Sequence, residues 1–160
     1  MSFATVQGSQ SVVKDSSPSG VSASLEDYLE AIFWLAQENH VARSRDIAER
    51  LAVSKSSVTG ALKQLNAEGF INYDPYSYVT LTEEGRRIAQ NVIRRHSVLN
   101  AFLHRVLGLN EADADHFACL IEHSIDDHVR ERFERFMEFV DSQDPDMSQW
   151  LLEARKQWRP

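Results

Sequence analysis

Residues 44–70, SRDIAERLAVSKSSVTGALKQLNAEGF, constrain the fold more than any other stretch of the chain. Ile47, Ala48 and Leu51 recur at intervals of three and four residues. After the small turn Ala52-Val53, Val58, Ala61, Leu62 and Leu65 do so again. That spacing is one face of an amphipathic helix. Ser44 and Ser54 are suited to cap the two helices, and Gly69 to end the second. Two short helices joined by so tight a turn make a helix-turn-helix. Lys55, Ser56, Ser57, Thr59 and Lys63 then point away from the apolar face of the second helix. Short hydroxyls and lysines there are able to reach base edges and phosphates in a major groove. Arg43 and Ser44, at the entry of the first helix, belong to the same candidate DNA-contacting set. A plain polar surface is the alternative for this face.

The next segment, FINYDPYSYVTLTEEG, predicts a hairpin. Phe70, Ile71 and Tyr73 form one short strand, Val79 and Leu81 the other, and residues 74–77 the turn. A hairpin after a recognition helix is a wing, and Tyr76 at its tip is a candidate DNA contact. Ahead of this unit, Leu25, Tyr28, Leu29, Ile32 and Phe33 predict a helix over 24–39, with Ser24 as cap. Behind it, Thr82 caps a long helix running to about Leu107. Further helices are expected over 110–121, 124–140 and 147–158. The fold expected is mainly α, in four parts: a tail over 1–21, a winged helix-turn-helix domain over 22–82, a linking helix and helical metal-binding and dimerisation domain over 83–144, and a helical extension over 145–160.

Charge is distributed unevenly. The net charge is −7, yet residues 1–108 carry 11 basic and 11 acidic side chains, and residues 109–160 carry 6 and 13. The helix-turn-helix can therefore meet phosphates while the acidic last third stays off DNA. No apolar run approaches the roughly 18 residues of a membrane span. The N-terminus lacks the pattern of a secretory signal. The single cysteine fits a reducing cytoplasm.

Six side chains suggest a metal site. Asp27 and Glu30 share one face of the first helix, and His96 sits on the long helix. Cys119, Glu122 and His123, at i, i+3 and i+4, share one face of the next. Thiol, carboxylate and imidazole suit a divalent first-row metal. Taken singly, Cys119 reads as a small buried residue, Glu122 as a surface acid and His123 as a satisfied histidine. The sequence contains no nucleophile–base pair and no glycine-rich phosphate loop, so no enzyme activity is expected. Two other readings stay open: a metal-independent winged-helix regulator with a small-molecule effector, and a metal-binding enzyme or storage protein.

Five segments, LEDYLEAIFWL, DIAERLAVSKSSVTGALKQL, LTEEGRRIA, RRHSVLNAFL and CLIEH, occur in the order seen in the diphtheria toxin repressor/manganese transport regulator family, which the chain resembles over about residues 22–140. The resemblance implies a homodimeric, metal-dependent transcriptional repressor of the short two-domain type, bound to double-stranded DNA at a near-palindromic operator. It implies Asp27, Glu30, His96, Cys119, Glu122 and His123 as metal ligands. Cys119 stands where the manganese branch has glutamate and the iron branch cysteine, and Asp27 where the iron branch has methionine. Asn100 occupies a position where a glutamate is often found. The carboxylates favour Mn(II) or Fe(II), and the thiolate moves preference toward Fe(II), Co(II) or Zn(II). The expected signal is Fe(II) or Mn(II), with Zn(II) or Co(II) binding in vitro.

Overall fold

The computed structural model describes residues 19–74, 78–142 and 145–158. The first 18 residues of the expected tail and the wing-tip residue Tyr76 lie outside these. Helix α1 covers Ala23–Asn39, α2 Ser44–Arg50 and α3 Lys55–Ala67. Strands β1 (Ile71–Asn72) and β2 (Thr80–Leu81) follow, then α4 (Glu83–Ala101), which continues as a π-helical turn over Phe102–Val106. Helices α5 (Glu111–Glu122), α6 (Asp127–Asp141) and α7 (Pro145–Trp158) complete the described chain. The fold is mainly α, as the sequence pattern requires.

One core holds the winged helix-turn-helix together. Leu25, Leu29 and Ile32 of α1 pack with Ile47 of α2, Val58, Leu62 and Leu65 of α3, Ile71 and Val79 of the hairpin, and Ile88 and Ala89 of α4. Each of these Leu, Ile and Val side chains contributes roughly 1.5–3 kcal/mol on burial. The first turns of α4 thus belong to the same core as the helix-turn-helix. Further along, Leu99 and Leu103 pack with Ala114 and Ala118 of α5. Val98 and Val106 pack with Met137 of α6 and Leu151 of α7. The Phe133, Phe136 and Met137 stripe, open between a dimer interface and an internal core, lies against these clusters. Phe102 meets Phe133 and Phe136 edge-on at 5.0 and 5.8 Å. The same residue starts the π turn, where the α-helix expected to reach Leu107 ends.

Several caps differ from expectation. The cap of α1 is Ser22, not Ser24; buried Val21 anchors the chain just before it, so the extended residue falls there. Arg43, not Ser44, holds the cap position of α2 and makes no side-chain cap bond. The cause is tertiary: Val79 N–H donates to the Ala42 carbonyl at 2.9 Å, which keeps the chain extended up to Arg43. Helix α6 starts at Asp127 rather than Ser124, with Asp126 as the cap accepting from Val129 N–H at 2.9 Å. The hairpin pairs Ile71 with Leu81 and Asn72 with Thr80, so Phe70 and Tyr73 flank the strand rather than belong to it. Ser54 and Thr82 cap α3 and α4 as expected.

Gly85 lets α4 lie directly on the hairpin. A Cβ there would stand 1.9 Å from the Phe70 carbonyl oxygen. The Thr82 hydroxyl is 3.0 Å from that oxygen and accepts from Gly85 N–H at 3.2 Å. Gly69, at φ +81°, ends α3 in the left-handed region where glycine carries no steric penalty.

Candidate metal centre and DNA face

Three elements bring the acidic and imidazole side chains together. Helix α1 supplies Glu26, Asp27 and Glu30, α4 supplies Arg95 and His96, and α5 ends in Cys119, Glu122 and His123. His123 lies in the middle. Its Nδ1 is 2.6 Å from Glu26 Oε2, and its Nε2 is 2.9 Å from Asp27 Oδ1 and 3.4 Å from Glu122 Oε1. His96 Nδ1 is 2.8 Å from Glu122 Oε2, and its Nε2 is 3.1 Å from Asp115 Oδ1. Burial opposes charge on His123, but the hydrogen bonds to Asp27 and Glu26 and the nearby Glu122 push it up to about 10. His96 is also raised, chiefly by its hydrogen bond to Glu122. Burial and the Glu122 charge raise Glu30.

The donor set fits a divalent cation. One ligand atom each from Asp27, Glu122 and His123 lies within 4.8 Å of the others. Atoms about 2.0–2.2 Å from one ion stand at most roughly 4.4 Å apart, so small rotamer changes close the set. Glu122 is buried, and its Oε1 has no hydrogen-bond partner. A buried acceptor left in that state costs about 1–3 kcal/mol, more when charged, unless a cation or water satisfies it. Glu30, His96 and Cys119 lie outside this set of three among the described residues. Glu30 accepts the Trp34 indole N–H at 3.2 Å. Cys119 is on an exposed position of α5, not buried, while Glu122 is buried rather than a surface acid. Partial shielding of the sulfur, and then the Glu122, Asp27, Glu30 and Asp115 charges, push Cys119 up to about 11.

The sequence reading missed Glu26 and Arg95. Both are buried, with Arg95 donating to Glu26 Oε1 at 2.9 Å. One signal was available: Ile88, Val92 and Leu99 define a buried face of α4, and position 95 falls on it.

Lys55, Ser56, Ser57, Thr59 and Lys63 are all exposed along α3. The Ser54 hydroxyl bonds those of Ser56 and Ser57 at 2.7 and 2.9 Å, and Thr59 donates to the Lys55 carbonyl at 2.9 Å. Arg43 is exposed and Ser44 half-buried. The Arg43 guanidinium lies 5.3 Å over the Tyr78 ring and joins the wing to the entry of α2.

Residues 20–79 match the N-terminal DNA-binding domain of iron-dependent repressors, and residues 82–151 match their metal-binding and dimerisation domain. The chain is 39% identical over 119 residues to an uncharacterized HTH-type transcriptional regulator of Methanocaldococcus jannaschii, covering 74% of this chain and 95% of that one. It is 34% identical over 121 residues to the HTH-type transcriptional regulator MntR of Bacillus subtilis, covering 76% and 84%. The chain belongs to the diphtheria toxin repressor/manganese transport regulator family. Members of this family are metal-dependent, DNA-binding transcriptional regulators. Among solved structures, the manganese regulator SloR aligns with a TM-score of 0.65 at 28% identity, covering 72% of this chain and 54% of that one. A manganese-dependent transcriptional repressor in complex with manganese aligns with a TM-score of 0.65 at 32% identity, covering 72% and 53%. The chain thus spans about half the length of these solved relatives. No described helix is long and apolar enough to cross a membrane.

Proposed function

We infer that this chain is a homodimeric transcriptional repressor of metal-homeostasis genes that binds its operator when Mn(II) or Fe(II) is held between its two halves. The observation that carries this reading is the meeting of Asp27 from α1 with Glu122 and His123 from the end of α5, around a buried carboxylate oxygen that accepts no hydrogen bond. Asp27, Glu122 and His123 would hold the cation, with Glu30, His96 and Cys119 as the further ligands that the family resemblance implies. The bound cation supplies positive charge where the chain itself supplies carboxylates. Asp27 and Glu122 repel each other across the boundary between the halves, and His123 bridges them by hydrogen bonds. A cation bound by Asp27, Glu122 and His123 would take the place of that bridge. Zn(II) and Co(II) are expected to bind in vitro. The role is regulatory rather than enzymatic, and its place is the cytoplasm, where Cys119 stays reduced.

Helix α3 is the DNA-reading element, with Lys55, Ser56, Ser57, Thr59 and Lys63 toward the groove and Arg43 and Ser44 toward the backbone; Tyr76 remains a candidate contact from the sequence. A dimer reading a near-palindrome needs its two recognition helices about 34–36 Å apart or at multiples of that. Helix α5 offers a dimer face. Phe117, Leu120 and Ile121 form an exposed apolar stripe flanking buried Ala114 and Ala118. Fluorescence anisotropy of labelled operator DNA tests the reading. With Mn(II) or Fe(II) present, affinity is expected to rise by roughly 5- to 150-fold over chelated protein, the span of a typical allosteric coupling. Equal affinity in both conditions contradicts it.

A further inference from the structure

We propose that Glu26 is a positioning residue for the metal centre: held by Arg95, it takes the Nδ1 side of His123 and leaves Nε2 facing Asp27 and Glu122. The proposal deepens the reading of His123 as a ligand and rests on it. Glu26 is fully buried, and Arg95 is nearly so. Burying a carboxylate and a guanidinium carries a desolvation cost that their mutual attraction offsets only in good geometry. If α1 and α4 needed only to pack, two apolar residues would serve as well or better. The surrounding positions are indeed apolar: Leu25, Leu29 and Ile32 on α1, and Ile88, Val92 and Leu99 on α4. The charged pair is retained at one place, beside His123.

The geometry divides the work of the carboxylate. Oε1 accepts from Arg95 at 2.9 Å and Oε2 pairs with His123 Nδ1 at 2.6 Å, which fixes the carboxylate plane and the imidazole ring together. Arg95 also reaches the Ile125 carbonyl at 3.4 Å, two residues beyond His123. One guanidinium therefore steadies both the acceptor behind the imidazole and the backbone turn that carries it. A ligating histidine whose other nitrogen donates to a carboxylate has a fixed tautomer and a more basic ligating atom. Neighbours in sequence thus take opposite sides of one ring: Asp27 meets Nε2, and Glu26 meets Nδ1.

Two measurements test this. In protein loaded with Zn(II), long-range 1H–15N spectra are expected to show His123 with a proton on Nδ1 and none on Nε2. A His123 bound to metal through Nδ1, or lacking the Nδ1 proton, overturns the proposal. The double variant Glu26→Leu/Arg95→Met removes both buried charges at once and avoids stranding one of them. If it is folded by circular dichroism, its Mn(II) affinity, read by competition with a fluorescent chelator, is expected to fall 10- to 100-fold, the usual loss when such a partner is removed. A folded double variant with unchanged Mn(II) affinity makes the pair merely structural and overturns the proposal. Should the variant fail to fold, the spectra of the Zn(II)-loaded wild-type protein decide alone. His123→Ala separates the two levels. Undiminished Mn(II) affinity in His123→Ala sinks the metal-centre reading and the proposal with it. Loss in His123→Ala without loss in the double variant sinks the role of Glu26 only.

Discussion

At the scale of single residues, His123 dominates the electrostatics. Its folded-state value of about 10 lies above the ordinary histidine value of about 6.5. A group raised in this way stabilises the folded state fully below its unfolded value, and that contribution is lost as pH climbs through the folded one. Cys119, raised to about 11, acts in the same direction at higher pH, since its neutral form is favoured by folding. Metal-free protein is therefore expected to lose stability steadily between about pH 6.5 and 10, read as a falling urea midpoint in chelator. A flat or rising midpoint contradicts the proton bridge among Glu26, Asp27 and Glu122. The ligand candidates were legible in the sequence because i, i+3 and i+4 spacing survives folding of a single helix. Glu26 and Arg95 were not. A charged residue on a periodic apolar face looks like noise until the opposite charge, 69 residues away in sequence, is seen against it.

At the scale of elements, local periodicity made α1, α2 and α3 readable, and tertiary contacts decided what local pattern left free. The strands of the wing are two residues each because pairing with Ala42 takes Val79 out of the hairpin. No sequence rule would have ended α4 in a π turn. Two glycines make a controlled contrast. Gly60, mid-helix in α3, would meet nothing with an added Cβ, so Gly60→Ala is expected to raise stability by about 0.5–1 kcal/mol through helix propensity alone. Gly85→Ala drives a methyl into the Phe70 carbonyl and is expected to cost about 1–3 kcal/mol. Thermal unfolding of both variants checks the pair; the same sign for both contradicts the packing described. For the DNA face, Lys63→Ala is expected to weaken binding to all sequences alike and to reduce the salt dependence of affinity by about one unit of slope. A loss confined to one operator base pair would instead make Lys63 a base reader.

At the scale of the whole molecule, charge and exposure divide the labour. The net −7 sits in the last third of the chain, away from the α3 face, so an acidic protein keeps a surface that phosphates tolerate. The α5 stripe of Phe117, Leu120 and Ile121 is left uncovered, and Leu120 is 61% exposed. Leu120→Glu is expected to shift the dimer to monomer in sedimentation velocity; an unchanged dimer moves the interface elsewhere. In the proposed reading, one cation held by Asp27, Glu122 and His123 would draw α1, part of the helix-turn-helix core, onto the end of α5. Anomalous diffraction at the manganese edge from Mn(II)-loaded crystals tests that tie most directly. The account predicts a peak within bonding distance of Asp27, Glu122 and His123 together. A peak that touches His123 and Glu122 but leaves both Asp27 and Glu30 free would contradict it, for α1 would then have no tie to the metal.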